Sequence, residues 1–258
     1  ELDTLQRHLE IEDDYVACVR VQFGTAQVAG AFGCDVVLPE NNLPACGSHV
    51  LAKAEDVADL AIPSLTAGWY GKLAEWTKLW QEHLPDGIHI QLPDIQSPFN
   101  TAHLIRGNDI LMDLYDAPEA AAALLDKVTD YMLALTPHLK RMISNDSEWF
   151  FDWGAMWKGA ARISNCSMQM SSPEMYREHV LPRDVRFLEG MGGGRMHYCG
   201  ITGDVIDDFF RVPCLNGLDV DVSRHDFFAL CDRAPEQLVL MPTGAWHCDS
   251  PDIKRLLK

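Results

Sequence analysis

What most constrains this chain is the regular return of short apolar, β-branched runs, most of them closed by Gly or Pro and separated by segments of helical period. The runs fall at residues 15–23 (YVACVRVQF), 34–38, 87–92 (GIHIQL), 149–151, 162–165, 195–199, 218–222 and 238–241. Such runs are too short for helices and too continuous for half-exposed strands, so they read as strands buried on both faces with helices supplying the cover. The predicted class is therefore α/β with a parallel sheet. Among the helices, residues 69–84 place Leu73, Trp76, Leu79 and Trp80 at helical spacing, which predicts that both tryptophans are core. Pro118 opens a long helix whose buried face is Ala121, Leu124, Leu125, Val128, Met132 and Leu135, with a break expected at the pre-proline Thr136. Residues 50–60 form an acidic helix-like segment, and Ser172-Pro173-Glu174 is a capped helix start.

No glycine-rich dinucleotide fingerprint follows the first strand. Instead, polar or chemically capable residues stand at strand C-terminal ends: Asp94, Asp152, His197 with Cys199, Asp221, and Trp246 with His247. A (β/α)8 barrel builds its active site from that set of positions, so a TIM barrel is expected. With no internal repeat or linker, residues 1–258 read as a single barrel domain.

Composition narrows the partners. The formal net charge of -17 disfavours a nucleic-acid backbone or an anionic membrane, and no basic patch offsets it. No apolar run reaches the length of a membrane span and the first residues have no signal-peptide pattern, so the expected location is the cytoplasm. The eight cysteines lack Cys-x-x-Cys spacing, which predicts reduced thiols serving mostly as core fillers.

The stretch Gly192-Gly193-Gly194-Arg195-Met196-His197-Tyr198-Cys199-Gly200 carries the clearest chemistry. Residues i and i+2 of a strand share a face, so His197 and Cys199 project together, and an imidazole beside a thiol suits zinc. The plainer alternative is a partly buried His beside an inert Cys. Asp94 and Asp152 could bind substrate or orient His197, or could equally be rim ion pairs or caps. Trp246 and His247 could wall a flat ligand or merely seal the barrel mouth, and His225 reads as a histidine near a helix start.

Three segments together resemble the uroporphyrinogen decarboxylase superfamily, and within it the branch of zinc-dependent cobalamin methyltransferases. They are Asp94 to Asn100 leading to Gly107 and to Asp113-Leu114-Tyr115-Asp116-Ala117-Pro118-Glu119; Ser172-Pro173-Glu174-Met175-Tyr176 with Pro182; and His197-Tyr198-Cys199-Gly200. The resemblance implies a (β/α)8 barrel of the uroporphyrinogen decarboxylase type, a zinc ion on His197, Cys199 and a distant third thiol, and transfer of a methyl group from a methylated corrinoid on a partner protein to a small-molecule thiol. Cys248 is the downstream thiol in this sequence that could be that third ligand. The chain departs from the family's pattern in stopping before a final strand and helix, and in carrying Asn165-Cys166 where relatives often have Asp-Asp. A porphyrin-pathway uroporphyrinogen decarboxylase remains an alternative, although the Met-Arg-Gln-Ala-Gly and Gly-Ala-Pro-Trp segments of those enzymes are missing; a degenerate ligand-binding member is another.

Overall fold

The computed structural model describes residues 2–11, 13–144, 146, 148–198, 200 and 205–244. In chain order come α1 (Leu2–Leu9), β1 (Cys18–Arg20), α2 (Gln27–Ala31), the hairpin strands β2 (Val36–Val37) and β3 (Ala45–Cys46), a 3-10 turn (Ala54–Asp59), α3 (Tyr70–His83) and β4 (His89–Gln91). Then follow α4 (Pro98–Arg106), α5 (Asp109–Asp116), α6 (Pro118–Ile143), β5 (Trp149–Asp152), β6 (Ala155–Lys158), β7 (Ala161–Ser164) and a second 3-10 turn (Cys166–Met170). The last third holds α7 (Pro173–Met175), which runs through a π-helical turn (Tyr176–Val180) into α8 (Leu181–Gly190), then β8 (Gly194–His197), α9 (Ile206–Phe210), β9 (Leu215–Asp221), α10 (Phe227–Cys231) and β10 (Val239–Thr243).

The α/β expectation holds, with parallel pairing along the order β10-β9-β8-β7 and between β1 and β4. Among the described residues these ladders do not join into one closed eight-stranded barrel. Between the two parallel groups lies β5, which touches β4 through one backbone hydrogen bond, Leu92 N–H to Phe151 O at 3.4 Å, and otherwise pairs antiparallel with β6. That hairpin was not anticipated from the sequence. Its two-residue turn is Trp153-Gly154, both at positive φ (51° and 70°), the geometry that matches strand twist but that a tryptophan rarely adopts. A second irregularity lies in β9. Gly194 pairs with Leu215 but Arg195 pairs with Gly217, so Asn216 is an extra residue, a β-bulge.

The helices follow local rules with two exceptions. Ser97 caps α4 by accepting the Asn100 N–H at 3.1 Å with Pro98 at the first helical position, and Ser172 caps α7 in the same way at 3.2 Å. The predicted face of α6 is buried in full, but the helix does not break at Thr136: it continues through Pro137 to Ile143, because Leu135 and Leu139 on either side of the proline are both locked in the core. In α3 the buried positions are Tyr70, Leu73 and Thr77, whereas Trp76 is 42% exposed and Leu79 52%. Trp76 lies instead against Phe23, ring centroids 5.3 Å apart, with Lys72 Nζ over its face.

Gly194 begins β8 with its backbone so close to β7 that a Cβ would stand 1.9 Å from the Ala161 carbonyl oxygen. Gly194→Ala must therefore push β7 and β8 apart. We expect a loss of about 1–3 kcal/mol in unfolding free energy, read by urea titration.

Candidate functional site

Strands β1, β4, β5, β7, β8 and β9 each contribute a buried polar side chain to one cluster. Its members are Arg20, Gln91, Asp152, Arg162, Arg195 and Asp219, all buried. The ladders explain the convergence: Arg20 is opposite Gln91 and Arg162 opposite Arg195, and cross-strand partners point to one side. One layer further along the strands, Ser164 is opposite His197.

Isolated buried charges would cost several kcal/mol each, so the cluster stands only if they cancel. Three guanidiniums face three carboxylates. Arg20 donates to Asp152 and, at 3.3 Å, to Gln91 Oε1. Arg162 donates to Asp94 and has Nε 3.6 Å from Asp152 Oδ2. Arg195 is wholly buried and is held by Asp152 on one side and Asp219 on the other. Its guanidinium also lies 5.4 Å from the ring centres of both Trp153 and Trp157, which the β5–β6 hairpin supplies. Burial alone lowers the affinity of Arg162 for its proton, but Asp94, Asp152 and Asp219 reverse this and raise it above the ordinary value.

His197 sits at the rim of this cluster, its side chain 19% exposed. Its Nδ1 is 2.7 Å from Asp219 Oδ2. A carboxylate oxygen held by a guanidinium can only accept, so Nδ1 donates and the lone pair of neutral His197 is on Nε2. Trp153, 46% exposed, lies over the imidazole with ring centroids 5.8 Å apart. Asp94 accepts from Gln96 Nε2 at 2.9 Å besides Arg162.

Below the rim, Asn165 ties the strand ends together. Its N–H donates to His197 O at 3.0 Å, its Oδ1 accepts from Ser97 Oγ at 2.9 Å, and its Nδ2 donates to Asp184 Oδ2 at 2.5 Å. Asp184 is fully buried on α8 and its Oδ1 has no partner, so burial raises its proton affinity well above the ordinary carboxylate range, opposed only by the Asn165 bond.

The sequence-predicted residues Asp94, Asp152 and His197 are thus linked in one chain of ion pairs running Asp94–Arg162–Asp152–Arg195–Asp219–His197. Asp152 is at its centre, with no exposed surface, rather than at a rim. Cys199, Trp246, His247 and Cys248 lie outside the described residues. Among the described residues no three His, Cys, Asp or Glu side chains converge as a metal site, so His197 is the single member of the expected zinc set whose surroundings are described. Asp221, expected at the site, is turned to Ser223, whose hydroxyl at 2.6 Å holds its carboxyl below the ordinary range. Sequence reasoning missed Arg20, Arg162, Arg195 and Asp219. The signal was there: Arg162-x-Ser164, Arg195-x-His197 and Asp219-x-Asp221 place polar or charged side chains at period two inside apolar strands.

The parallel strands and a charged cluster at their ends define an α/β protein whose site is carried on strand termini. Residues 15–227 match the family model described as uroporphyrinogen decarboxylase (URO-D), and the chain belongs to that family. It is 25% identical over 227 residues to the methylcobamide:CoM methyltransferase MtbA of Methanosarcina acetivorans, an alignment covering 86% of this chain and 62% of that protein. Its fold matches a methyltransferase from Methanosarcina mazei with a TM-score of 0.71 at 17% identity, covering 86% of this chain and 63% of the other. The chain thus spans less than two thirds of the length of both. No helix of the described residues is long and apolar enough to cross a membrane.

Two outcomes follow from the cluster. Asp219→Ala leaves Arg195 with one carboxylate and a buried surplus charge, so unfolding free energy measured in urea falls by about 3–5 kcal/mol. For Asp184, between the ordinary value of 3.8 and its raised folded value the folded chain holds a proton that the unfolded chain has lost; stability therefore declines as pH rises through that window. Asp184→Asn abolishes this linkage. The urea midpoint at pH 7.5 rises, and its pH dependence flattens.

Proposed function

We propose that this chain is a corrinoid-dependent methyltransferase on a TIM-type barrel core spanning residues 1–258, moving a methyl group from a methylated corrinoid on a partner protein to a small-molecule thiol. The observation that carries the reading is the Asp219–His197 pair, which fixes the imidazole with Nε2 free beside a half-exposed tryptophan at a strand end. Family membership and the similarity to a methylcobamide:CoM methyltransferase support it.

The donor chemistry suits zinc, with His197, Cys199 and Cys248 as the proposed ligands: a carboxylate-backed imidazole with two thiols and one open position. When bound, the ion would lower the pKa of a substrate thiol so that it is a thiolate, the nucleophilic form, near neutral pH. The protein's own residues do the rest. Asp219 keeps the His197 tautomer and ring plane fixed. Asp152, enclosed by arginines, positions Arg195 and so Asp219. Asp94 is the carboxylate of the chain nearest the rim and is assigned to hydrogen-bonding substrate. Trp153 limits water at the imidazole, and Trp246 with His247 are proposed to face the flat corrinoid.

The decarboxylase alternative needs cations for an acidic tetrapyrrole. Each of the three cluster arginines is already engaged by a carboxylate, which favours the methyltransferase reading.

The test combines metal analysis with turnover. Wild-type protein reconstituted with zinc should retain about one equivalent after gel filtration, and His197→Ala and Cys199→Ala should each lower zinc affinity at least tenfold. With methylcobalamin and a panel of thiols including CoM, the loaded wild type should form methylated thiol and the variants should not. A wild-type chain that retains no zinc, or one that transfers methyl equally well as His197→Ala, overturns the proposal.

A further inference from the structure

Cys34 and Cys46 stand on the two arms of the β2–β3 hairpin, away from the charged cluster. The pairing of Val36 with Cys46, continued by Gly47 N–H to Asp35 O at 2.8 Å, puts Cys34 diagonally across the ladder from Cys46 on the same face. Both thiols are free. They differ in access and in charge. Cys34 is 4% exposed, with Sγ 3.6 Å from Leu104 O, whereas Cys46 is only half-buried. The neighbouring Cys34 thiol draws the Cys46 thiol below its ordinary proton affinity, and Cys46 together with burial pushes Cys34 up. An accessible thiol inclined to ionise, backed by a buried one on the same face of the hairpin, is an attacking and a resolving pair. Leu104 O keeps a donor when Cys34 leaves it, because His49 Nδ1 donates to it at 2.8 Å.

We propose that Cys34 and Cys46 form a modification site that closes to an intrachain disulfide in the presence of a low-molecular-weight disulfide such as oxidised glutathione. The Cys46 thiolate attacks one sulfur of that disulfide, forming a mixed disulfide and releasing one glutathione thiolate. Cys34 then loses its proton to solvent and attacks Cys46 Sγ, expelling the second glutathione thiolate. Two cysteine thiols are oxidised and one disulfide is reduced to two thiols. The bond ties the hairpin arms, and through Pro44, whose carbonyl packs on Gly24, it steadies the segment that leaves β1 just after Arg20.

Trypsin cleaves after Arg20 and Lys53, and peptide 21–53 contains Cys34 and Cys46 and no other cysteine. The native full chain is incubated with oxidised glutathione, alkylated with iodoacetamide, digested and weighed. The expected result is peptide 21–53 lighter by two hydrogens and closed to alkylation until reduced. Cys34→Ser should stop at a glutathione adduct on Cys46, and Cys46→Ser should leave Cys34 as the free thiol. A wild-type peptide that stays fully alkylated, or that keeps glutathione on Cys46 without closing, overturns the proposal; because that readout needs no variant, misfolding of either serine substitution does not blunt it.

Discussion

A guanidinium cannot shed its proton to enter a protein interior, and Arg195 is wholly buried. Everything near the site is arranged to make that tolerable. Asp152 and Asp219 approach from two strands, and the ring faces of Trp153 and Trp157 come within cation–π distance from a hairpin. Asp152 in turn must satisfy Arg20 and lies near Arg162, so neutralising one arginine recruits two more strands. The left-handed backbone of Trp153, uncommon for a bulky residue, is understandable in this setting: the turn aims the ring at both the guanidinium and the imidazole.

What could be read in advance divides by the range of the forces involved. The strand runs, the apolar face of α6 and the serine-proline start of α7 follow from neighbours within one or two turns, and they are where expected, whereas α4, which Ser97 and Pro98 begin by the same local rule, was not read from the sequence. The β5–β6 hairpin was not legible because Trp-Gly is no turn signature; its geometry is imposed by the tertiary setting of Trp153, Trp157 and Tyr15. The α6 break failed for a similar reason, packing outweighing a local proline rule. In the site, His197 was legible from its motif, but its partner Asp219 sits 22 residues on, inside a strand, and Asp152 meets Arg20 across 132 residues. Non-local charge pairing leaves only a period-two trace in each strand.

Asn165 shows how a site can be braced without touching chemistry. It joins the segments following β4, β7 and β8 through Ser97, its own backbone and His197 O, and rests on the buried Asp184 of α8. An amide suits this position because it donates and accepts at once, which a carboxylate cannot do.

The extra residue in β9 sets the parity of everything beyond it. Because Asn216 is skipped, Arg195 pairs with Gly217 and Met196 with Leu218, and the register carried one step further sets His197 beside Asp219. Were Asn216 paired with Arg195 instead of skipped, Leu218 would fall opposite His197, and Asp219 would face the helices. Sequence drift in this family member can exchange side chains in that strand far more freely than it can change the number of paired residues: a single codon lost at position 218 would set Asp219 beside Met196 and Val220 beside His197 while leaving every downstream amino acid the same.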